Sequence, residues 1–170
     1  YTSVFLKTSV KLPSQLVDQL SVYATVALLP LTVFAGWLSD KIGRKPVVVS
    51  GLILGATLIL PAFYLLQSNS GSITLIAGIL VGLSAILALV VGPQTALLAE
   101  LFPAKTRNSA ATLPHNLAAG WIGGLLPFIV TWLNQTWESN LAGLWYPTIF
   151  LASGAVVALL YLPEIGRASC

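Results

Sequence analysis

Long uninterrupted stretches of apolar side chains, parted by short polar links, run along the chain from Gln19 onward. No charged residue occurs from Gln19 to Ser39, from Pro46 to Ala99, from Asn108 to Trp137 or from Ser139 to Pro163. Crossing a hydrocarbon layer about 30 Å thick takes roughly 20 apolar residues of helix. Three of these intervals have room for one crossing each. The longest has room for two, divided by the polar break Gln67-Ser68-Asn69-Ser70-Gly71-Ser72. The pattern therefore predicts an all-α, polytopic transmembrane helix bundle, with five spans at about 19–38, 46–66, 73–97, 109–133 and 144–163.

Composition strengthens this reading and removes its rivals. Of 170 residues, 56% are hydrophobic and 8% are charged, whereas soluble domains carry about 25% charged residues, so no ordinary water-facing surface can be built. A net charge of +3, spread thinly, makes no nucleic-acid footprint. The one cysteine, Cys170, allows neither a disulfide framework nor a multi-cysteine metal site. No catalytic set, metal cluster or phosphate loop can be assembled from these residues, so an enzyme is not expected, and no cofactor is.

The cations set the expected orientation. Lys41, Arg44, Lys45, Lys105, Arg107 and Arg167 share one set of span ends, and only Lys7 and Lys11 lie at the other. The richer set belongs in the cytoplasm, which puts the loops at 39–45 and 98–108 there and makes the protein a multi-pass component of the plasma membrane. Residues 1–6 then read as the outer end of a helix that begins upstream, and 7–18 as an external loop. Residues 164–170 form a cytoplasmic tail, of which Gly166 to Cys170 has the look of a cloning scar. Trp37, Trp132, Trp137, Trp145 and Tyr146 sit near span ends, where an amphipathic ring suits the interface but also simply fills space.

Within the spans, Gly51-x-x-x-Gly55, Gly78-x-x-x-Gly82 and Gly120-x-x-x-Gly124 put paired glycines on one face of three helices. Such faces let backbones approach closely where lipid offers no hydrophobic drive. Pro30, Pro61, Pro93, Pro114 and Pro127 interrupt the spans, as in bundles that move, although a rigid bundle uses prolines too. The fourth span carries Thr112, His115, Asn116, Ala119, Gly120 and Gly123 at steps of three or four, a small or polar face. His115 and Asn116 either bond to a neighbouring helix or meet a substrate or proton. Thr25 and Thr32 on the first span and Gln94 after the Gly92-Pro93 break are further pathway candidates, each of which could equally satisfy its own backbone.

Two charged links carry the most specific pattern. Gly36-Trp37-Leu38-Ser39-Asp40-Lys41-Ile42-Gly43-Arg44-Lys45-Pro46 joins two spans so tightly that both end at one membrane surface. Gly36 permits close helix crossing, and Gly43 permits a sharp turn at positive φ. Asp40 can accept hydrogen bonds from Arg44 or from amides at a helix start, and Pro46 suits a first helical turn. This link resembles the signature G-x-L-[SA]-D-[RK]-x-G-[RK]-[RK] of the major facilitator superfamily, through Gly36, Leu38, Ser39, Asp40, Lys41, Gly43, Arg44 and Lys45. Glu100-Leu101-Phe102-Pro103 with Arg107 resembles the E-[LI]-F-P-x-x-x-R segment between that family's tenth and eleventh helices. The Gly92-Pro93-Gln94 lead-in, Asn116 and Gly123-Gly124 are most similar to its metabolite:proton symporter subfamily, carriers of osmolytes and organic acids. His115 and Asn108-Ser109-Ala110 stand where most members have an aromatic residue and Tyr-Thr-Gly.

The resemblance implies the carboxy-terminal half of a twelve-helix carrier, from the end of the seventh helix through the twelfth. Its partners would be the lipid bilayer, the missing amino-terminal half, a small solute and protons. It implies a cytoplasmic gate made by Gly36, Asp40, Lys41, Gly43, Arg44 and Lys45 together with Glu100, Phe102, Pro103 and Arg107, with the charged loop serving otherwise only to enforce topology. His115 is the one candidate for proton coupling inside a span, and coupling groups are expected mainly in the missing half. A sugar-porter-like carrier or uniporter of the same superfamily, or a non-transporting membrane sensor with a carrier fold, are the alternatives. Sugar carriers place a tryptophan between the Gly-Pro and Glu-x-Phe-Pro elements, and it is absent from Thr95 to Ala99.

Overall fold

A backbone surrounded by hydrocarbon must satisfy its hydrogen bonds within its own segment, and this chain does so with helices. The computed structural model describes residues 2–69, 71–101, 116, 118–137 and 141–162. In order these are α1 (Thr2–Thr8), α2 (Ser14–Ile42), α3 (Arg44–Ser68), α4 (Ile73–Leu101), a π-type turn (Ala118–Gly123) that runs into α5 (Gly124–Thr136), a 3₁₀ turn (Ala142–Leu144) and α6 (Trp145–Tyr161). Among the described residues, four stretches are long and apolar enough to cross a membrane: Ser14–Ile42, Arg44–Ser68, Ile73–Gln94 and Ala142–Tyr161. The span expected over 109–133 is described from residue 118 onward, as the π turn and α5, with Asn116 before it; its other residues lie outside the described part.

The link expected over 7–18 is shorter in the structure, because α2 starts at Ser14 and α1 continues to Thr8. Polar residues prolong α2 for a physical reason. Its first turns bury Val17 and Leu20 in a cluster with Phe5, Leu6, Phe63, Leu66, Ile76, Leu80 and Leu144, and Lys7 pairs with Asp18 at 2.8 Å across the link. Phe5 meets Phe63 edge to face, with ring centres 4.9 Å apart. The turn between the helices is closed by Ser9 and Leu12 amides donating to Phe5 and Leu6 carbonyls, with Lys11 at φ 58°.

Packing does not follow chain order. α4 lies between α2 and α3, and α3 in turn lies between α4 and α6. Glycines set how near these helices come. A side chain at Gly92 would stand 2.7 Å from the Thr32 carbonyl and 3.0 Å from the Gly36 nitrogen, so α4 touches the α2 backbone there. A Cβ at Gly51 would meet Leu89 and Val90 at 2.9 Å, and one at Gly55 would meet Leu151 of α6 at 3.2 Å. Gly51-x-x-x-Gly55 is thus a packing face on both sides of α3. Gly78, Gly82 and Gly120 behave differently from expectation, with no neighbour within 4 Å among the described residues. Gly82 lines a cavity of about 350 Å³ with Leu58, Pro61 and Ala62 of α3, so the two helices stand apart there instead of touching.

The outer surface is apolar. Val33 is 74% exposed on α2 and Tyr161 79% exposed on α6, amid many other exposed aliphatic side chains. Water would penalise such a surface; lipid tails do not. Pro127 explains the π turn. Its ring lacks an N–H and displaces the preceding carbonyls, and the helix widens by a residue over Ala118–Gly123. The polar face read at even helical steps through Ala119, Gly120 and Gly123 therefore loses its phase there. Beyond α5, the Gly143 amide donates to Asn134 Oδ1 at 2.6 Å, and a Cβ at Gly143 would run into the Val130 main chain.

The glycine contacts make a differential prediction for the full-length protein in detergent. Gly92→Val should lower stability by about 1–3 kcal/mol, because a main-chain carbonyl cannot move aside. Gly78→Ala should stay within about 0.5 kcal/mol of wild type. Thermal unfolding of the two variants checks the ranking, and equal losses would contradict the packing described.

Candidate functional site

Two arrangements have chemistry beyond packing, and both are built on α2 and α4. The first is the turn between α2 and α3. Gly43 alone separates these helices, at φ 110° and ψ 151°, a region that side chains do not tolerate. Its amide donates to the Ser39 carbonyl at 3.0 Å, satisfying one of the free carbonyls at the end of α2. The positive φ expected from the sequence is thus present, and Pro46 falls in the first turn of α3 as expected. Ser39 is fully buried, and its hydroxyl donates to the Gly36 carbonyl at 2.7 Å.

The charges at this turn are organised by the two helix ends. Arg44, the first residue of α3, lies 3.2 Å from Asp40 in the last turn of α2. A cation at a helix start opposes the helix dipole, and the neighbouring carboxylate offsets it. Arg44 is largely covered, with 12% of its side chain exposed, while Asp40 is 62% exposed. Water therefore reaches the anion far more readily than the cation. Lys41 holds its ammonium 4.2 Å above the ring of Trp37, whose own neighbour Phe34 lies 5.7 Å away. This cation over an exposed indole suits a membrane surface. Lys45 is half-buried in the first turn of α3.

Glu100 lies on the helical backbone of α4; its side chain, together with Phe102, Pro103 and Arg107, falls outside the described residues. Helical rise nevertheless relates the two loops. α2 and α4 run in the same direction and touch at Gly36 and Gly92, so the Glu100 backbone stands about 12 Å beyond that contact and Asp40 about 6 Å beyond it. The Glu100 backbone is thus level with the turn.

The second arrangement is a cleft of about 240 Å³ between α1, α2 and α4, lined by Ser3, Ser21, Thr25, Ser84 and neighbours. Of the pathway candidates read from the sequence, it includes Thr25. Thr32 donates to the Leu29 carbonyl of its own helix at 2.8 Å, and Asn116 is exposed. Gln94 is half-buried and bonded. Thr112 and His115 lie outside the described residues. Sequence reasoning missed Ser3, Ser21 and Ser84. The four-residue step from Ser21 to Thr25 was a legible signal on α2, but nothing in the sequence ties either residue to Ser3 or Ser84. Behind the cleft, an apolar cavity of about 260 Å³ is bounded by Gly51, Gly55, Phe63, Ile86 and Leu151; it offers a polar solute almost nothing.

Comparison with known proteins gives these features a setting. A family model described as Sugar (and other) transporter matches residues 1–163. The ectoine/proline transporter ProP of Corynebacterium glutamicum is 29% identical over 164 residues, which is 96% of this chain and 32% of that protein. The glycine betaine/proline/ectoine/pipecolic acid transporter OusA of Dickeya dadantii is 37% identical over 125 residues, 74% of this chain and 24% of that protein. The inner membrane metabolite transport protein YhjE of Escherichia coli is 33% identical over 132 residues, covering 76% and 29% respectively. The chain spans about a third or less of the length of these relatives. No solved structure matches. From the charged turn, the apolar helices and a match over nearly its whole length, the chain belongs to the sugar (and other) transporter family of the major facilitator superfamily, a family of membrane transporters and not of enzymes, and it is most like the metabolite:proton symporters.

Proposed function

We propose that this chain is the carboxy-terminal half of a secondary transporter that carries a small polar solute, an osmolyte or organic acid, by alternating access coupled to protons. The observation that carries this reading is the ion pair of Asp40 and Arg44 across the one-residue turn at Gly43. An exposed carboxylate beside a covered guanidinium is a contact that hydration can weaken. A partly exposed pair is worth only about 0–1 kcal/mol, so such a gate opens thermally, and several pairs together bias the populations of two states.

In this mechanism Asp40 and Arg44 join Glu100 and Arg107 on the cytoplasmic side while the carrier faces outward, and part when it faces inward. Lys41 and Lys45 hold the loop in the cytoplasm of the plasma membrane. Phe102 and Pro103 close the apolar edge of the gate. The substrate lies at mid-membrane between this half and an amino-terminal half, and one half rocks against the other. The printed names of the relatives, which include ectoine, proline and glycine betaine transporters, favour an osmolyte over a sugar. Coupling groups belong mainly to the other half, with His115 the one candidate in this stretch.

Uptake of radiolabelled proline and glycine betaine by the full-length protein, in cells that lack their own osmolyte carriers, tests this reading. Accumulation should collapse with a protonophore. Asp40→Asn should leave membrane abundance normal and cut uptake by up to about five-fold, the loss of at most about 1 kcal/mol of bias between states; unchanged uptake would remove the gate. If His115 carries the proton, His115→Gln abolishes the response to an imposed pH gradient, and a retained response assigns coupling to the other half.

A further inference from the structure

The hydroxyl cleft and the apolar cavity behind it are two sides of one trough. Thr2, the first residue of α1, borders both, as do Leu83 and Leu87 of α4. From Thr2 the trough runs toward the charged turn. Its wall on α3 goes from Phe63 back to Gly51, about 18 Å of helix rise, and its wall on α4 from Leu80 to Val90, about 15 Å. The α3 side, joined by Leu151 of α6, is apolar, whereas α2 and α4 place Ser21, Thr25 and Ser84 on the other side.

The direction of α1 is fixed by its contacts. Phe5 and Leu6 are fully buried. Lys7 pairs with Asp18, and Ser3 Oγ lies 3.0 Å from Ser21 Oγ. Four steps back along α1 thus match three steps forward along α2. The two helices are antiparallel, and prolonging α1 backward carries it past Thr25 and along the trough. α1 has 7 residues, whereas a membrane crossing takes roughly 20.

We propose that the trough seats the upstream continuation of α1, the residues that precede Tyr1, as a membrane-spanning helix antiparallel to α2 and α4. Its apolar face lies on Gly55, Phe63 and Leu151, and its small or polar face on Ser21, Thr25 and Ser84. A helix satisfies its own backbone in such a place and can be apolar on one side and polar on the other. An acyl chain would match only the apolar wall, and water only the hydroxyl wall. The inference rests on the reading of this chain as part of a longer carrier, since it spans 32% of one relative, and adds which side chains receive the incoming helix. It also changes the place of Thr25, which becomes a helix-packing residue and leaves the solute pathway.

The test is disulfide crosslinking in the full-length carrier, in native membranes, with all other cysteines replaced. One cysteine stands at Thr25→Cys on the hydroxyl wall or at Ile59→Cys on the apolar wall. The second walks through the stretch that precedes Tyr1. Each wall should give crosslinks that recur every three or four positions, and the two series should differ in phase, because the walls face different sides of one helix. Ile53→Cys, on the face of α3 turned away from Gly51 and Gly55, should give none. Absence of crosslinks from both walls in protein of normal membrane abundance overturns the proposal, as does a series without helical period. So do crosslinks from the walls to cysteines placed at positions 109–117, which would seat that segment in the trough, and disulfides that double the apparent mass, which would seat a second copy. Should the carrier accumulate neither proline nor glycine betaine, the transport reading falls, and the two crosslinking series still decide what fills the trough.

Discussion

Lipid tails give two helices no hydrophobic reason to associate, so this bundle depends on how closely bare backbone can meet backbone. At Gly36 and Gly92 the main chains of α2 and α4 come within the space of one missing methyl group. At Gly51, α3 comes almost as near to the α4 main chain, and at Gly55 the Leu151 side chain of α6 packs into the space a methyl group would take. Dispersion over such short distances is small for each atom pair and large in sum. It replaces the burial that would hold a soluble helix bundle together, and it explains why α4, not the chain neighbour α3, is the main partner of α2.

Both functional arrangements hang on that contact. The charged turn lies just beyond one end of the α2–α4 crossing, and the hydroxyl cleft lies toward the other. Ser21 and Asp40 are separated by about 28 Å of unbroken helix rise, interrupted only by Pro30. With the two backbones interlocked at Gly92, a displacement at the turn end of α2 is carried along α2 and α4 together.

How much of this was legible in the sequence depended on the range of the interaction. The charge-free intervals reflect a solvent rule that every residue obeys, and they located the helices. The conformation of Gly43 and the position of Pro46 are local backbone matters, and they too were readable. The start of α2 was not, because Ser14 to Asp18 look like loop until Val17 and Leu20 are seen to bury against Phe5 and Phe63. The Gly78-Gly82 pair has the spacing of a packing face, yet among the described residues no neighbour comes within 4 Å of it. Ser3, Ser21 and Ser84 converge only through tertiary packing, and no periodicity along one helix could have joined them. The phase of the polar face around Gly120 was lost to the π turn over Ala118–Gly123, which precedes Pro127.

The single-residue link at Gly43 also bears on how the protein is made. With no slack between Ile42 and Arg44, neither α2 nor α3 can settle in the bilayer and wait for the other. The translocation machinery must accept the pair as one hairpin joined by its charged bend.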